Sequence, residues 1–399
     1  MKSLRELYRI GRGPSSSHTM GPESAAKYIK ETYEEANNYK VFLFGSLALT
    51  GKGHLTDWVI KKVPGEDVTE IKFMPKEEVK HPNTFIIEAY KDDELIKSSS
   101  FVSIGGGEIS IDDIPQTLKK DVYPFQNFDE IKEYAKEKNL TLDEIVYTFE
   151  DKDIKEYLSL VYDTMVNSIK RGLEKEGILP GGLEVKRKAK RIYDTLSDSI
   201  DEEKNKRMVS AYAYAVSEEN ASGGIVATAP TCGASGVLPA CLYFIQEKYH
   251  ISKEIIIDSL AVASLFGNVI KMNASISGAY LGCQAEIGTA CSMASSAIAF
   301  LKGESIEQIE SAAEIAMEHH LGLTCDPIDG LVQIPCIERN AIAALSAIDA
   351  AIVSTFPIYP EKMSFDSVVI AMYETGKDLN QNYKETSQGG LARRDVKRS

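Results

Sequence analysis

The stretch TFIIEAYKDDELIKSSSFVSIGGG, residues 84–107, decides the character of the N-terminal part of the chain. Two runs rich in β-branched and aromatic residues, 84–90 and 95–104, flank four charged residues, which predicts a β-hairpin. The second run ends in three glycines, a pattern that favours a turn or a close approach to the backbone. Further out, the apolar run Val41-Phe42-Leu43-Phe44 predicts a buried strand.

From about Asp129 the hydrophobic pattern becomes helical and stays so. Capping boxes that begin at Thr141 and Ser305 mark the starts of two helices. We expect the second of these to run to His320 and to stop at Gly322. No strand-like alternation is convincing after residue 150.

These patterns predict an α+β fold with two domains, which also suits a chain of 399 residues. We expect a small N-terminal α/β domain, residues 1–145, followed by a larger all-helical domain, residues 155–395. Two long and nearly uncharged stretches, 220–246 and 272–301, are rich in small residues. A lipid-spanning helix is more steadily apolar, so we expect them to form buried helices and loops.

The composition excludes several classes of partner. A formal net charge of -14 argues against binding to nucleic acid or to an anionic membrane. The first seven residues carry charges where a signal peptide needs an apolar run. We therefore expect a cytoplasmic protein with no membrane partner.

The six cysteines fall into two groups. Cys283, Cys325 and Cys336 lie in loop-like segments that contain glycine or proline, which favours a role as ligands. Cys241 and Cys291 lie in apolar, alanine-rich context typical of buried thiols, and both readings stay open for Cys232.

Three thiolates suit an iron–sulfur cluster with one open iron that acts as a Lewis acid. The alternative is a structural zinc site in a binding or sensory protein, with His319 or His320 as the fourth ligand. The two histidines end a predicted helix, where solvation is their usual state.

Two polar motifs of the N-terminal part are candidates for a site. Ser15-Ser16-Ser17-His18-Thr19 precedes Pro22, which suits the first turn of a helix. Hydroxyls and amides before a helix N-terminus favour a carboxylate, although a serine run also fits a flexible loop. His54 lies in Gly51–Asp57 after a predicted strand, where it can transfer protons or simply be solvated.

Two polar residues of the second uncharged stretch are further candidates. Asn273 either binds a substrate or forms a hydrogen bond between helices. Glu286 is costly to bury in such a run unless it is paired.

These motifs occur together and in order, and together they resemble the iron–sulfur L-serine dehydratases (L-serine ammonia-lyases). The separations from Cys283 to Cys325 and from Cys325 to Cys336, 42 and 11 residues, match that family's cluster-binding pattern. The segments that carry the resemblance are residues 15–19, 51–57, 103–107, 179–183, the three cysteine motifs and 384–392.

The resemblance implies a [4Fe-4S] cluster held by Cys283, Cys325 and Cys336, without pyridoxal phosphate. It implies deamination of L-serine to pyruvate and ammonia, in which the open iron assists departure of the β-hydroxyl. We expect His54 to be the base that removes the α-proton. His18 is the second candidate, with a role as a substrate-binding donor expected first.

The resemblance also implies the substrate contacts and the assembly. We expect Ser15, Ser17 and Thr19 to hold the substrate carboxylate, and Asn273 to contact the substrate from the helical side. The active site would lie between the two domains, and a homodimer is expected. An L-cysteine desulfidase is the neighbouring alternative, and a preference for L-serine over L-threonine stays open.

Two departures from the family pattern accompany these expectations. The chain is shorter than many single-chain members, so some loops must be trimmed. Many longer relatives carry a C-terminal cysteine that can occupy the open iron. This chain ends in residues 395–399 without one, so we expect no such self-capping.

Overall fold

The computed structural model describes residues 1–111, 121–356 and 363–393, apart from the side chains of residues 105, 201 and 202. The C-terminal residues 395–399 therefore lie outside the described part. The N-terminal elements are β1 (Ile10–Arg12), α1 (Gly21–Thr32), β2 (Asn38–Phe44), α2 (Gly45–Thr50), α3 (Thr56–Lys62), β3 (Thr69–Met74), β4 (Thr84–Lys91), β5 (Glu94–Gly105) and β6 (Glu108–Ile111).

The remaining elements are almost all helices. They are α4 (Phe128–Lys138), α5 (Leu142–Phe149), α6 (Ile154–Glu174), α7 (Ala189–Asp194), α8 (Asp201–Ala221), β7 (Ile225–Ala227), α9 (Val237–Tyr249), α10 (Lys253–Asn273), α11 (Gly278–Leu281), α12 (Ile287–Leu301), α13 (Ile306–Glu318), α14 (Cys336–Val353) and α15 (Phe365–Asp378). The predicted α+β class is thereby confirmed.

The N-terminal sheet has the strand order β3-β2-β4-β5-β6. β2 and β3 are parallel, and the other neighbours are antiparallel. The predicted hairpin is confirmed as β4 and β5, and the predicted strand at Val41–Phe44 is the end of β2. Alternate side chains of β2 and β4 are buried in a small core beneath α1, because successive strand residues point to opposite faces.

Both predicted capping boxes are confirmed. The boxes at Thr141 and Ser305 satisfy the first amides of α5 and α13. α13 ends at Glu318, two residues earlier than expected, and a turn leads to Gly322 with φ +80°. The turn needs the left-handed backbone that glycine adopts without strain.

The prediction that no strand follows residue 150 is wrong at β7. This strand pairs antiparallel with β1, with Gly11 opposite Val226. A three-residue strand is too short for an alternating pattern, and its partner lies about 200 residues away in sequence. Only the tertiary contact defines it.

The N-terminal residues join the core of the helical part. Leu4, Leu7 and Tyr8 are fully buried in the same hydrophobic cluster as Phe128 and Phe266. The Tyr8 hydroxyl donates a hydrogen bond to the Leu260 carbonyl at 2.9 Å. The first residues of the chain and α4 therefore share one core with the later helices, while the limits 145 and 155 for the two domains stay a prediction.

Most of the two uncharged stretches is buried, as predicted, although Ile225, Met272 and Tyr280 are exposed. Within them, α9 is buried from Val237 to Leu242 and α12 from Ile287 to Ala299. One helix of the described chain, α10, is long and apolar enough to cross a membrane, and 78% of its apolar window is buried inside the protein. Such burial is usual for the core helix of a globular protein.

Candidate active site

One cavity collects residues from distant parts of the sequence. Ser15 and His54 line it from the N-terminal part, and Cys283, Cys325 and Cys336 line it from the helical part. The other residues that line it are Pro14, Gly233, Glu286, Ile287, Pro327, Val332 and Glu385. Five predicted site residues therefore share one cavity, although Ser15 and His54 are more than 200 positions from the three cysteines in the sequence.

The serine run is an ordered and buried turn. Residues Ser16–Met20 form a short helical turn that leads directly into α1. The Ser15 hydroxyl accepts a hydrogen bond from the His18 amide at 3.1 Å, and the Ser15 amide donates to the Thr19 hydroxyl at 3.1 Å. The flexible loop that a serine run also allows is therefore not what this chain forms.

The loop after α2 presents His54 to the cavity. Two backbone features shape this loop. Leu55 has the left-handed φ of 57°. Gly53 lies so close to Gly330 that a Cβ built on it would be 2.7 Å from the Gly330 carbonyl oxygen. A glycine is thus required where the loop meets the cysteine-bearing segment. His54 is 1% exposed, so the solvated alternative is excluded.

Hydrogen bonding assigns the tautomer of His54. The Thr50 carbonyl lies 3.0 Å from Nδ1 and can only accept, so Nδ1 carries the proton and Nε2 is left with its lone pair. Burial lowers the pKa of His54 to about 4, against a weaker opposing effect of the Thr50 carbonyl. The ring is therefore neutral at neutral pH, with Nε2 in the basic form.

His18 stacks beside His54 but has both ring nitrogens engaged. The ring centroids are 4.4 Å apart. Ser46 donates its proton to the Glu385 carbonyl, so it accepts from His18 Nε2 at 3.0 Å, and Nδ1 accepts from Ser17 at 3.0 Å. Burial, and then the neighbouring His54, hold the pKa of His18 well below its usual range.

Thr19 connects the serine turn to the histidine loop. Its hydroxyl donates to the His54 carbonyl at 2.7 Å and accepts from the Ser15 amide. The side chain is fully buried and does not line the cavity. The structure thus places Thr19 behind the site, where it holds Ser15 and His54 together.

Asn273 lies apart from the cavity. Its exposed side-chain amide donates to the Gln126 carbonyl at 2.9 Å, and it is absent from the cavity lining. The predicted contact with the substrate has no support in this placement. A polar residue at the end of an apolar helix looks the same in sequence whether it faces a site or solvent.

The three predicted ligand cysteines differ from the other three in their sulfur contacts. Cys241 and Cys291 are buried and donate to the carbonyls of Ala344 and Ala343, each at 3.3 Å. Cys232 lies 3.8 Å from the Met20 sulfur. The prediction that Cys241 and Cys291 are buried thiols is confirmed.

No carbonyl accepts from the cavity thiols within the described residues. Instead, the Cys283 and Cys325 thiols interact with each other, and this interaction raises the pKa of Cys325. The same interaction, and then the positive charge of Arg339, lower the pKa of Cys283. Cys336 is the first residue of α14, so the three sulfurs point into the cavity from two loops and a helix start.

Sequence reasoning missed Arg339, which lies one turn after Cys336. Its guanidinium donates to the Thr324 carbonyl at 2.6 Å and contacts Cys283. Arginine at this spacing after a ligand cysteine is the signal that could have drawn attention to it.

Glu286, suspected from sequence, does line the cavity. Its carboxyl accepts from the Thr231 hydroxyl at 2.7 Å, and burial raises its pKa. The positive charge of Arg339 opposes that effect. The raised pKa agrees with the expectation that this carboxylate is costly to bury.

Glu385 is the second carboxyl group of the cavity, and sequence reasoning missed it. Its Oε1 lies 3.5 Å from His54 Nε2 and 3.6 Å from His18 Nδ1. Burial, followed by the nearby Glu286 and Cys283, raises its pKa well above the usual range. The only signal in sequence was its place in the 384–392 motif, because an acid in a polar tail segment has no distinguishing pattern.

The segment that carries Glu385 is tied to the cysteine loop. The Cys325 amide donates to the Tyr383 carbonyl at 2.8 Å, and the Glu385 amide donates to the Cys325 carbonyl at 2.7 Å. The Ser387 hydroxyl donates to the Pro327 carbonyl at 2.7 Å. The tail segment is thereby fixed across the cavity beside Cys325.

The donor set fits a cluster better than a single ion. Among the described residues, the only three metal-binding side chains whose ligand atoms lie within 4.8 Å of one another are His18, His54 and Glu385. One tetrahedral zinc holds its sulfurs about 3.8 Å apart, which the three thiols as a group do not approach. His319 and His320 do not line the cavity, so they offer it no fourth ligand.

Comparison with known proteins agrees with the resemblance noted in the sequence. The family model described as serine dehydratase alpha chain matches residues 29–392. L-serine dehydratase 1 of Escherichia coli is 41% identical over 449 aligned positions that cover 98% of this chain and 99% of the relative. The L-serine dehydratases of Haemophilus influenzae and Helicobacter pylori are 38% and 37% identical, each over 98% of this chain and at least 98% of the relative.

These alignments are longer than the chain itself, so the relatives carry residues that this chain lacks, as the expectation of trimmed loops requires. The match covers both the N-terminal sheet and the helical part. The chain therefore belongs to the serine dehydratase alpha chain family.

Proposed function

We propose that this protein is an L-serine ammonia-lyase that converts L-serine to pyruvate and ammonia. The observation that carries the proposal is the single cavity lined by Ser15, His54 and the three cysteines. The chemistry needs a base, an anion-binding end and a Lewis acid together, and these residue types supply them. The relatives at 37 to 41% identity are all named for L-serine dehydration.

We propose that Cys283, Cys325 and Cys336 hold a [4Fe-4S] cluster with one iron free of protein ligands. Support comes from three thiols that line one cavity without a carbonyl acceptor in the described residues, and from Arg339 beside Cys283. When bound, the cluster supplies a Lewis acid at its open iron, which hydroxide needs because it is a poor leaving group at neutral pH.

The substrate carboxylate is assigned to the serine turn. Ser15 lines the cavity, and its hydroxyl lies 3.4 Å from the Ser17 hydroxyl. The two hydroxyls have one hydrogen each, and Ser17 already donates to His18. Ser15 is therefore the direct donor, while Ser17, His18 and Thr19 keep the turn in place.

His54 is assigned as the base that removes the α-proton. Its Nδ1 proton is committed to the Thr50 carbonyl, so Nε2 has a free lone pair on the cavity side. His18 is less suited because serine hydroxyls occupy both of its nitrogens. The neutral state of His54 means that no prior deprotonation is needed at neutral pH.

Loss of the α-proton and of the β-hydroxyl gives aminoacrylate, which tautomerises to an imine and hydrolyses to pyruvate and ammonia. Most of the residues that line the cavity are buried, which limits the access of bulk water during the elimination. The two-domain arrangement, a cytoplasmic location and a homodimer are part of the same proposal. No observation favours cysteine desulfidation over it.

The test is anaerobic reconstitution with iron and sulfide, followed by measurement of pyruvate released from L-serine. We expect turnover by the wild type and by Cys291→Ala, which removes a thiol from the helix core. Cys325→Ala is expected to lose both the brown cluster absorbance and pyruvate release. A wild-type protein with a full cluster that releases no pyruvate from L-serine would overturn the proposal.

A further inference from the structure

We propose that the Glu385 carboxylate is the subsite for the α-ammonium group of the substrate. The inference deepens the proposed function, on which it rests. It concerns a residue from the tail segment that is brought between His54 and Cys325 only by the fold.

The first step is the position of the carboxyl group. Its Oε1 lies 3.5 Å from His54 Nε2, the atom assigned to the α-proton. The α-proton and the α-nitrogen are bonded to the same carbon atom. A group that binds the nitrogen must therefore lie within a few ångströms of the base, and Glu385 does.

The second step is the absence of a cationic side chain. Within the described residues, no lysine or arginine forms an ion pair with Glu385. The basic side chains in contact with its carboxyl group are His18 and His54, and both are neutral. The Ala279 amide favours the ionised form of the carboxyl group and so opposes the rise in its pKa. A buried carboxyl group without a nearby cation is costly to ionise, and a substrate ammonium group would offset that cost.

The third step separates Glu385 from the other carboxyl group of the cavity. Glu286 accepts the Thr231 hydroxyl at 2.7 Å and feels the positive charge of Arg339. Glu286 therefore has both a hydrogen-bond donor and a nearby cation within the protein, whereas Glu385 has no lysine or arginine partner among the described residues. Glu385 is therefore the carboxyl group that remains available to a cationic ligand.

The fourth step is the rigidity of the subsite. The Glu385 amide donates to the Cys325 carbonyl, and the Glu385 carbonyl accepts from Ser46 at 3.0 Å. The residue thus links the histidine side of the cavity to the cysteine side. An ammonium group held there leaves the α-carboxylate for Ser15 and the β-hydroxyl for the cysteine side.

The inference predicts that the site binds a ligand with an α-ammonium group more tightly than the same ligand with an α-hydroxyl group. Glycine and glycolate are suitable probes because they differ only in carrying an ammonium or a hydroxyl group at the α-carbon. Their affinities for the anaerobically reconstituted full-length protein are measured by calorimetry and by inhibition of L-serine turnover.

We expect Glu385→Gln to weaken glycine binding and to raise the KM for L-serine by roughly 10- to 100-fold, the range for a hydrogen bond to a charged group. The affinity for glycolate should change by less than about threefold in Glu385→Gln, because glycolate has no ammonium group for the carboxylate to bind. The matched control is Glu374→Gln, an exposed position on α15, which should change neither affinity.

Two outcomes would overturn the inference. One is a glycine affinity that Glu385→Gln leaves unchanged, and the other is an equal loss of glycine and glycolate affinity, which marks a purely structural role. Glu286→Gln is measured beside it, and a selective loss of glycine in that variant would move the subsite to Glu286.

If Glu385→Gln does not fold, Glu385→Asp supplies the test, because it keeps the carboxyl group but shortens the side chain. A selective loss of affinity for glycine is again expected. Failure of the proposed function gives a different result. A wild type that prefers glycine to glycolate, and loses that preference in Glu385→Gln, keeps the subsite even if L-serine yields no pyruvate.

Discussion

The two walls of the cavity hold their reactive groups in opposite ways. On the N-terminal wall, Ser15 and His54 line the cavity, and Ser17 and His18 lie behind them. Almost every polar atom of these four side chains has a hydrogen-bond partner within the protein. On the thiol wall, which comprises Cys283, Cys325 and Cys336, no sulfur finds a carbonyl acceptor within the described residues. One wall is preorganised for proton transfer, and under the proposed function the other would be completed by an iron–sulfur cluster.

The difference shows how the same residue type is used in two ways. A buried thiol within a helix can donate a hydrogen bond to a neighbouring carbonyl, as Cys241 and Cys291 do. A thiol that lines a cavity without such a partner, with the half-buried Arg339 nearby, is suited to bind iron as thiolate. The predictions below test this contrast from the largest expected effect to the smallest.

The largest effect is expected when the thiol wall is broken. Cys336→Ala should abolish the cluster absorbance and lower turnover by at least roughly a thousandfold, because the Lewis acid contributes several kcal/mol to the transition state. Iron content, absorbance and pyruvate release are the measurements. Cys241→Ala is the matched control, and equal iron loss in both variants would contradict the contrast between the two groups of cysteines.

The second effect sharpens the N-terminal wall. His54→Asn should lower kcat by roughly 10²- to 10⁴-fold, the usual contribution of a general base. His18→Asn should cost about tenfold, because it removes hydrogen bonds rather than the free nitrogen. Steady-state kinetics at matched cluster content decides between them, and a larger loss in His18→Asn would exchange the two roles.

The third effect is a pH dependence of stability that comes from His54. Burial lowers its pKa from 6.5 to about 4, so the unfolded chain takes up the proton first as pH falls. The stability that this group contributes is fully present above pH 6.5 and is lost between pH 6.5 and 4. The loss reaches about 3 kcal/mol in the free energy of unfolding.

Urea unfolding of the cluster-free protein at several pH values checks this prediction. The wild type should lose stability across that interval more steeply than His54→Asn. If the unfolding free energies of the wild type and His54→Asn depended on pH equally, His54 would have the same pKa in the folded and unfolded protein, and the prediction would be wrong.

The smallest effect concerns the connection behind the wall. Thr19→Val removes the donor to the His54 carbonyl and the acceptor for the Ser15 amide. We expect a loss of about 1 to 3 kcal/mol in unfolding free energy and a fall in kcat of only a few fold. Thr164→Val, an exposed threonine on α6, is the control. A loss of kcat as large as that of His54→Asn would place Thr19 among the reacting groups.

Local sequence signals predicted the elements well. The capping boxes and the hairpin depend on contacts within a few residues, and all of them are found where the sequence placed them. The strand β7 was missed because its pairing with β1 is a contact between distant segments. Short-range patterns carry no information about such a pairing.

The candidate site was predicted less evenly. Five of the predicted residues are found together in or against the cavity, namely Ser15, His54 and the three cysteines. Asn273 is exposed at the end of α10, and Thr19 is buried behind the cavity. Sequence shows the polarity of a residue but not the direction in which the fold points it.

The sequence by itself determined the α+β class, the helix starts and the family, because these follow from residue spacing along the chain. Only the tertiary structure decided which nitrogen of His54 is free, which thiols lack an acceptor, and that Glu385 faces both histidines. The physical reason is that hydrogen bonding and burial depend on neighbours in space. For Glu385 those neighbours include His18, which is more than 360 residues away in the chain.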